Sequence, residues 1–284
     1  MKKITSNNCS LLYNQVAFTN TEQVGVKMMN ATHIIAITSG KGGVGKSTVS
    51  VNLALALSRL DKRVGIIDLD IYGFSIPNML SITERPKVWN EKIIPVQSNG
   101  VSVMSTGFMV RDNQPIVWRG PMLGKMIEHF ANDVLWGSID YMILDMPPGT
   151  GDVALDMHSM FPKSHEIIVT TPHHTAAHVA ERAGTMAQKS NHSILGVIEN
   201  MAYFSPPSSE EKYYLFGKGG GQTLADSLQV PLLDSLPIAI PNQEGKMETI
   251  VEESDPLYQH FHHIAFQIEK QVEGINIESE TNLL

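Results

Sequence analysis

From residue 31 onward, short apolar runs alternate with longer apolar stripes, and the two periods are easily told apart. His33-Ile34-Ile35-Ala36-Ile37-Thr38 is a continuous β-rich run, which predicts a parallel strand buried on both faces. Val49, Leu53, Leu57 and Leu60 fall on one stripe of a helix over residues 47–60, closed by Lys62-Arg63. A second strand follows over 64–67 and ends in Asp68. Asn99-Gly100, flanked by apolar runs at 93–96 and 101–104, predicts a hairpin. Residues 122–135 read as a helix, and 141–144, 166–170 and 194–198 as three more buried strands, with a further one at 232–236. Residues 256–272 predict a C-terminal helix with a polar tail. Strands alternating with helices in this way predict an α/β fold: a mostly parallel sheet flanked by helices on both faces. Residues 1–30 show neither period and read as an extension. Residues 31–284 read as the folded domain.

Composition narrows this picture without changing it. The 284 residues are 42% hydrophobic and 18% charged, with a net charge of −8, which argues against a surface built throughout to trap nucleic acid. The single cysteine, Cys9, permits no intramolecular disulfide and fits a reducing compartment. Lys2 and Lys3 are not followed by an apolar run of signal-peptide length, so the cytoplasm is expected. The end of the chain, from Ile275 to Leu284, has no lysine or arginine, so no membrane attachment through an amphipathic basic helix is expected.

The chemistry sits where the first strand meets the first helix. Gly40-Lys41-Gly42-Gly43-Val44-Gly45-Lys46-Ser47, followed by Thr48, fits the G-x-x-x-x-G-K-[ST] phosphate loop in its strand–loop–helix setting. Glycines let successive N–H groups turn toward phosphate oxygens, and the start of the helix adds its dipole. Lys46 is expected on the β- and γ-phosphates of ATP, and the Ser47 hydroxyl directly on Mg²⁺. Asp145 ends a predicted strand and opens Asp145-Met146-Pro147-Pro148-Gly149-Thr150-Gly151-Asp152, the place of a carboxylate that acts on Mg²⁺ through water. Asp68 and Asp70 end another strand and are expected at the same edge of the sheet, where open α/β sheets bind ligands. His174 and His178 have the i, i+4 spacing of a metal pair, but no carboxylate or cysteine accompanies them, and a solvated helix face is the better account.

Several runs in fixed order resemble the Mrp (ApbC) family of the MinD/ParA-like class over about residues 31–255. They are Ser39 to Thr48 with its extra Lys41, Asp68-Leu69-Asp70-Ile71-Tyr72-Gly73, Trp118-Arg119-Gly120-Pro121-Met122, Asp145 to Asp152, Glu199-Asn200-Met201, and Phe216-Gly217-Lys218-Gly219-Gly220-Gly221. The resemblance implies a homodimer with ATP at the interface, in which Lys41 reaches the phosphates bound by the other subunit. It further implies that Asp70 positions the attacking water and acts on Mg²⁺ through water, and that Asn200 reads adenine. Members typically carry an iron–sulfur cluster on a C-x-x-C and hand it to acceptor proteins. Here the matching positions fall on Pro206 and Ser209, neither of which replaces a thiolate at iron. Phe74 and His174 also depart from the family, which usually has proline and aspartate there.

Three functions follow from these residues. The missing cysteines make the first expectation an ATP-hydrolysing dimeric switch without its own iron–sulfur cluster, acting on an unidentified protein or DNA partner. The wording around Thr170-Thr171-Pro172-His173 resembles the SalA-like regulatory branch. The alternative is an iron–sulfur cluster carrier or assembly ATPase that uses non-standard or partner-supplied ligands. A ParA-like DNA-partitioning ATPase is a third, which the acidic balance disfavours.

Overall fold

The computed structural model describes residues 29–71, 73–109, 120–206, 211–238 and 250–281. Cys9, Tyr72, Trp118, Arg119 and Ser209, together with nearly all of the N-terminal extension and the last three residues of the polar tail, lie outside the described residues.

In chain order the elements are β1 (Ala31–Ser39), α1 (Lys46–Arg59), β2 (Val64–Asp68), α2 (Ile76–Met79), β3 (Lys87–Trp89), β4 (Lys92–Ile94), β5 (Val96–Ser98) and β6 (Val101–Ser105). A 3₁₀ turn, Thr106–Met109, is followed by α3 (Gly120–Asn132), β7 (Ile139–Asp145), α4 (Asp152–Met160), β8 (His165–Thr170), α5 (His174–Lys189) and β9 (Ser193–Glu199). The last elements are α6 (Gly220–Leu228), β10 (Leu232–Ser235) and α7 (Leu257–Thr281). Eight strands form one sheet in the order β10-β9-β8-β1-β7-β2-β6-β5, parallel throughout except for β5 against β6. This is the mostly parallel sheet that the alternating pattern predicts.

Burial on both faces explains the continuous apolar runs, because successive side chains enter opposite layers. Ile35, Ile37, Ile143 and Val169 point into a layer shared with α1 and α7. Ala36, Met142 and Leu144 point into the opposite layer, with α3 and α4. Ile168 and Val197 meet α5 and α6 through Ala177, Ala180 and Leu224. The chain order brings β1, β7 and β2 together at the centre, which puts the C-terminal ends of the three motif-bearing strands side by side.

Two expectations change. The Asn99-Gly100 turn does close a hairpin, with both residues at positive φ, but its first arm is Val96–Ser98. Lys92–Ile94 instead pairs with Lys87–Trp89 in a separate two-stranded sheet, because the positive φ values at Asn90 and Glu91 make a second tight turn there. The C-terminal helix continues past Val272 to Thr281, since polar residues such as Glu and Asn do not by themselves stop a helix and no proline intervenes. No helix among the described residues is long and apolar enough to cross a membrane.

At the opposite edge of the sheet from the phosphate loop, His165 opens β8 with its Nδ1 buried and without a hydrogen-bond partner among the described residues. Burial pulls its pKa down to about 4, and the neighbouring His33 and His192 act in the same direction. Its ordinary value is 6.5, so below that pH the unfolded chain takes up a proton that the folded chain refuses. Stability is therefore complete above pH 6.5 and falls as the pH drops toward 4. The loss from this residue is expected to be on the order of 2 kcal/mol, below the full linkage value because the ring is partly exposed and screened. Denaturant titrations across that range should show the slope, and His165→Gln should flatten it. An equal slope in the variant would assign the effect elsewhere.

Candidate functional site

The loop between Ser39 and Lys46 wraps one end of an open cavity of about 610 Å³, with Asp70, Gly73 and Ser75 on one wall and Pro147, Pro148 and Gly149 on another. Gly43 and Gly45 have φ of 79° and 82°, the left-handed values that turn backbone amides inward. Beside Gly42 and Gly43 the space is open, so nothing crowds the cradle there. Gly40 differs, because its α-carbon lies directly against the backbone of α5 at Val179 and Ala180.

Below the loop, Asp145 gathers three donors. Lys46 Nζ lies 2.8 Å from its Oδ1, and the Ser50 hydroxyl donates to the same oxygen at 2.7 Å. Ser47 Oγ donates to Oδ2 at 2.6 Å. Lys46 and Asp145 are buried, with side chains 6% and 1% exposed. The register of β2 on β7 places Asp68 beside Asp145. Burial pushes the Asp68 carboxyl up from the usual carboxylate range, and the charge of Asp145 adds to the shift. The Asp145–Gly151 segment is tied to β1 by Met146 N–H donating to the Ile37 carbonyl and Gly149 N–H donating to the Ser39 carbonyl, at 3.1 and 2.8 Å.

The structure thus brings together Lys41, Lys46, Ser47, Asp70 and Asp145, predicted from the sequence, around or directly beneath one cavity. Lys41 is exposed at the mouth and has no ion-pair partner among the described residues. Asn200 lies behind the loop, where its amide nitrogen donates to the Val44 carbonyl at 2.9 Å and fills the space that a Cβ at Gly45 would need. His173 caps α5, accepting from Thr175 N–H at 3.2 Å. Among the described residues, no three His, Cys, Asp or Glu side chains are grouped to hold a metal.

Sequence reading did not find Ser50, although its place one turn after Lys46 on α1 was a usable signal. Glu199 falls within a family run that gives it no role; in the structure its Oε1 accepts Gly221 N–H at 2.7 Å at the start of α6. That contact joins β9 to the glycine run of the last family motif, and nothing local in the sequence announces it.

The oxygen donors of Ser47 and Asp145, at the floor of a glycine cradle with a lysine, fit a magnesium–nucleotide complex, since Mg²⁺ takes oxygen ligands and keeps much of its water. Fold and site together define a P-loop nucleotide triphosphatase. Residues 30–269 match the family described as ParA: NUBPL iron-transfer P-loop NTPase, and the chain belongs to it.

The chain is 53% identical over 249 residues to the iron-sulfur cluster carrier protein of Bacillus subtilis, covering 87% of this chain and 71% of that protein. It is 43% identical over 242 residues to the iron-sulfur cluster carrier protein of Aquifex aeolicus, covering 84% of this chain and 65% of that one. Among solved structures, the nucleotide-binding protein of Archaeoglobus fulgidus in complex with ADP superposes with a TM-score of 0.70 at 36% identity, covering 82% of this chain and 93% of that chain.

These relatives overturn the expectation of a cluster-free regulatory switch and favour the carrier alternative. The absence of two thiolates from one loop is not the absence of the function. The ligand set of an assembly is not bounded by one loop of one chain. In the structure an antiparallel bridge between Phe204 and Tyr213 joins the two ends of that segment, and Pro206 follows two residues after Phe204.

Proposed function

We propose that this chain is an ATP-hydrolysing iron–sulfur cluster carrier or assembly protein whose cargo is held, at least in part, by ligands that the Pro206 loop does not supply. The observation that carries this reading is the 53% identity with a cluster carrier across 87% of the chain, joined to a complete phosphate loop. Slow MgATP-dependent hydrolysis, a homodimer with ATP at its interface and a cytoplasmic location belong to the same proposal.

The roles follow from the geometry. Backbone N–H groups of residues 42–47 and the Lys46 ammonium hold the phosphates, and Ser47 offers its hydroxyl to Mg²⁺. Magnesium bound there would offset charge on the phosphate oxygens. Asp145 and Asp70 act on its water shell, and Asp70 also orients the attacking water. Lys41, exposed at the mouth, is free to reach phosphates held by a second subunit. Asn200 holds the loop from behind, within reach of a base seated over it.

Because a [4Fe–4S] core favours soft, anionic sulfur, the absent thiolates must come from elsewhere. Anaerobic incubation with ferric iron, sulfide and excess glutathione, which supplies the reducing electrons and stands in for partner thiols, is expected to leave iron and sulfide on the protein after desalting, with a visible charge-transfer absorption. Cys9→Ser then shows whether the only thiol of the chain takes part. Retention of neither element, with ATP hydrolysis intact, would remove the carrier reading.

A further inference from the structure

Asp70 stands two residues beyond the end of β2, in a loop with no regular structure of its own. Its Oδ1 accepts Gly73 N–H at 3.0 Å, while its Oδ2 has no hydrogen-bond partner among the described residues. A carboxylate that must orient water needs to be held within a fraction of an ångström, and a loop does not provide that by itself.

The corner at the end of β6 supplies the support at three points. The Ser105 hydroxyl donates to Asp68 Oδ2 at 2.9 Å, and Asp68 Oδ1 in turn accepts the Asp70 N–H at 3.2 Å. The Thr106 hydroxyl donates to the Asp70 carbonyl at 3.4 Å. Gly107 N–H donates to Ser105 Oγ at 3.0 Å, and the Phe74 ring lies so close that a Cβ at Gly107 would sit 2.5 Å from it. The peptide units on both sides of the Asp70 α-carbon are thus fastened to one corner, and the far end of the loop rests on it through Phe74. Ser105 and Thr106 are fully buried and do not line the cavity, so they act on chemistry only through other residues: Thr106 through Asp70, and Ser105 through Asp68, which touches Asp70 and lies beside Asp145.

We propose that Ser105 and Thr106 are positioning residues for ATP hydrolysis, forming with Gly107 a platform that sets the Asp70 carboxylate. The proposal rests on the ATPase reading and on the role given there to Asp70.

The test compares ATP affinity by calorimetry with single-turnover hydrolysis in the full chain. Ser105→Ala combined with Thr106→Val should slow hydrolysis about tenfold or more, equivalent to ~1.4 kcal/mol, while affinity stays within about twofold. Thr106→Val alone preserves shape and the Ser105–Asp68 bond, so it should fold and still be slow, and Thr106→Ser should recover the rate. Gly107→Ala should also slow hydrolysis, and Phe74→Ala in the same chain should relieve it. The platform is overturned if Thr106→Val turns over at the full rate, or if rate and affinity fall together and Thr106→Ser restores neither. Asp70→Ala run alongside separates the two levels: full hydrolysis there would sink the site assignment itself, whereas a dead Asp70→Ala beside a fully active Thr106→Val would sink only the platform.

Discussion

Replacing Lys46 by alanine is expected to weaken ATP binding at least tenfold, about 1.4 kcal/mol, and to destabilise the nucleotide-free protein at the same time. The first effect follows from the loss of the ammonium that offsets phosphate charge. The second follows from the structure: Lys46 Nζ is 2.8 Å from Asp145 Oδ1, both groups are buried, and Asp68 lies beside them. Without Lys46, the buried Asp145 carboxylate loses its cation and keeps only hydroxyl donors, with the Asp68 carboxyl beside it. Breaking a buried pair in this way costs about 3–5 kcal/mol in other proteins. The hydroxyls of Ser47 and Ser50 still solvate Asp145 and should hold the loss toward the lower end. Calorimetry measures the affinity and urea denaturation the stability. Unchanged affinity would remove the phosphate-loop assignment. Unchanged stability would mean that the Lys46–Asp145 pair contributes nothing to the nucleotide-free fold.

Gly40→Ala should damage the fold outright. An added Cβ would lie 2.3 Å from Ala180 N and 2.4 Å from Val179 C, which are backbone atoms of α5 and have no rotamer to yield. Either the helix or the phosphate loop must move, and the expected loss is about 3 kcal/mol or more, at the upper end of overpacking effects. Gly42→Ala is the matched control, because an added Cβ there meets nothing within 4 Å. Its stability should change by less than about 0.5 kcal/mol. Equal midpoints for the two variants in a urea titration would refute the packing argument.

The sequence reported most of the nucleotide site because the motif is local. Gly40 to Thr48 carries its own turn chemistry, and a strand before and a helix after fix the direction in which its amides point. Strand and helix periods were legible for the same reason, since burial on both faces leaves unbroken apolar runs such as Ile34 to Ile37. The hairpin arms were not, because Ile93 and Val96 are both apolar and only the positive φ at Asn90 and Glu91 assigns them to different sheets.

Function was misread where a local absence stood for a global one. Pro206 and Ser209 exclude two ligands at two positions, which says nothing of thiolates brought by another molecule. By itself, the sequence determined that this chain has a phosphate loop between a strand and a helix, aspartates at the ends of two further strands, and no cysteine besides Cys9. Only the tertiary structure decided that Asp68 lies against Asp145, that α5 closes on Gly40, and that Ser105 and Thr106 hold Asp70. Those contacts join residues 36 to 140 positions apart, through strand order and register, and no local pattern of residue types encodes either.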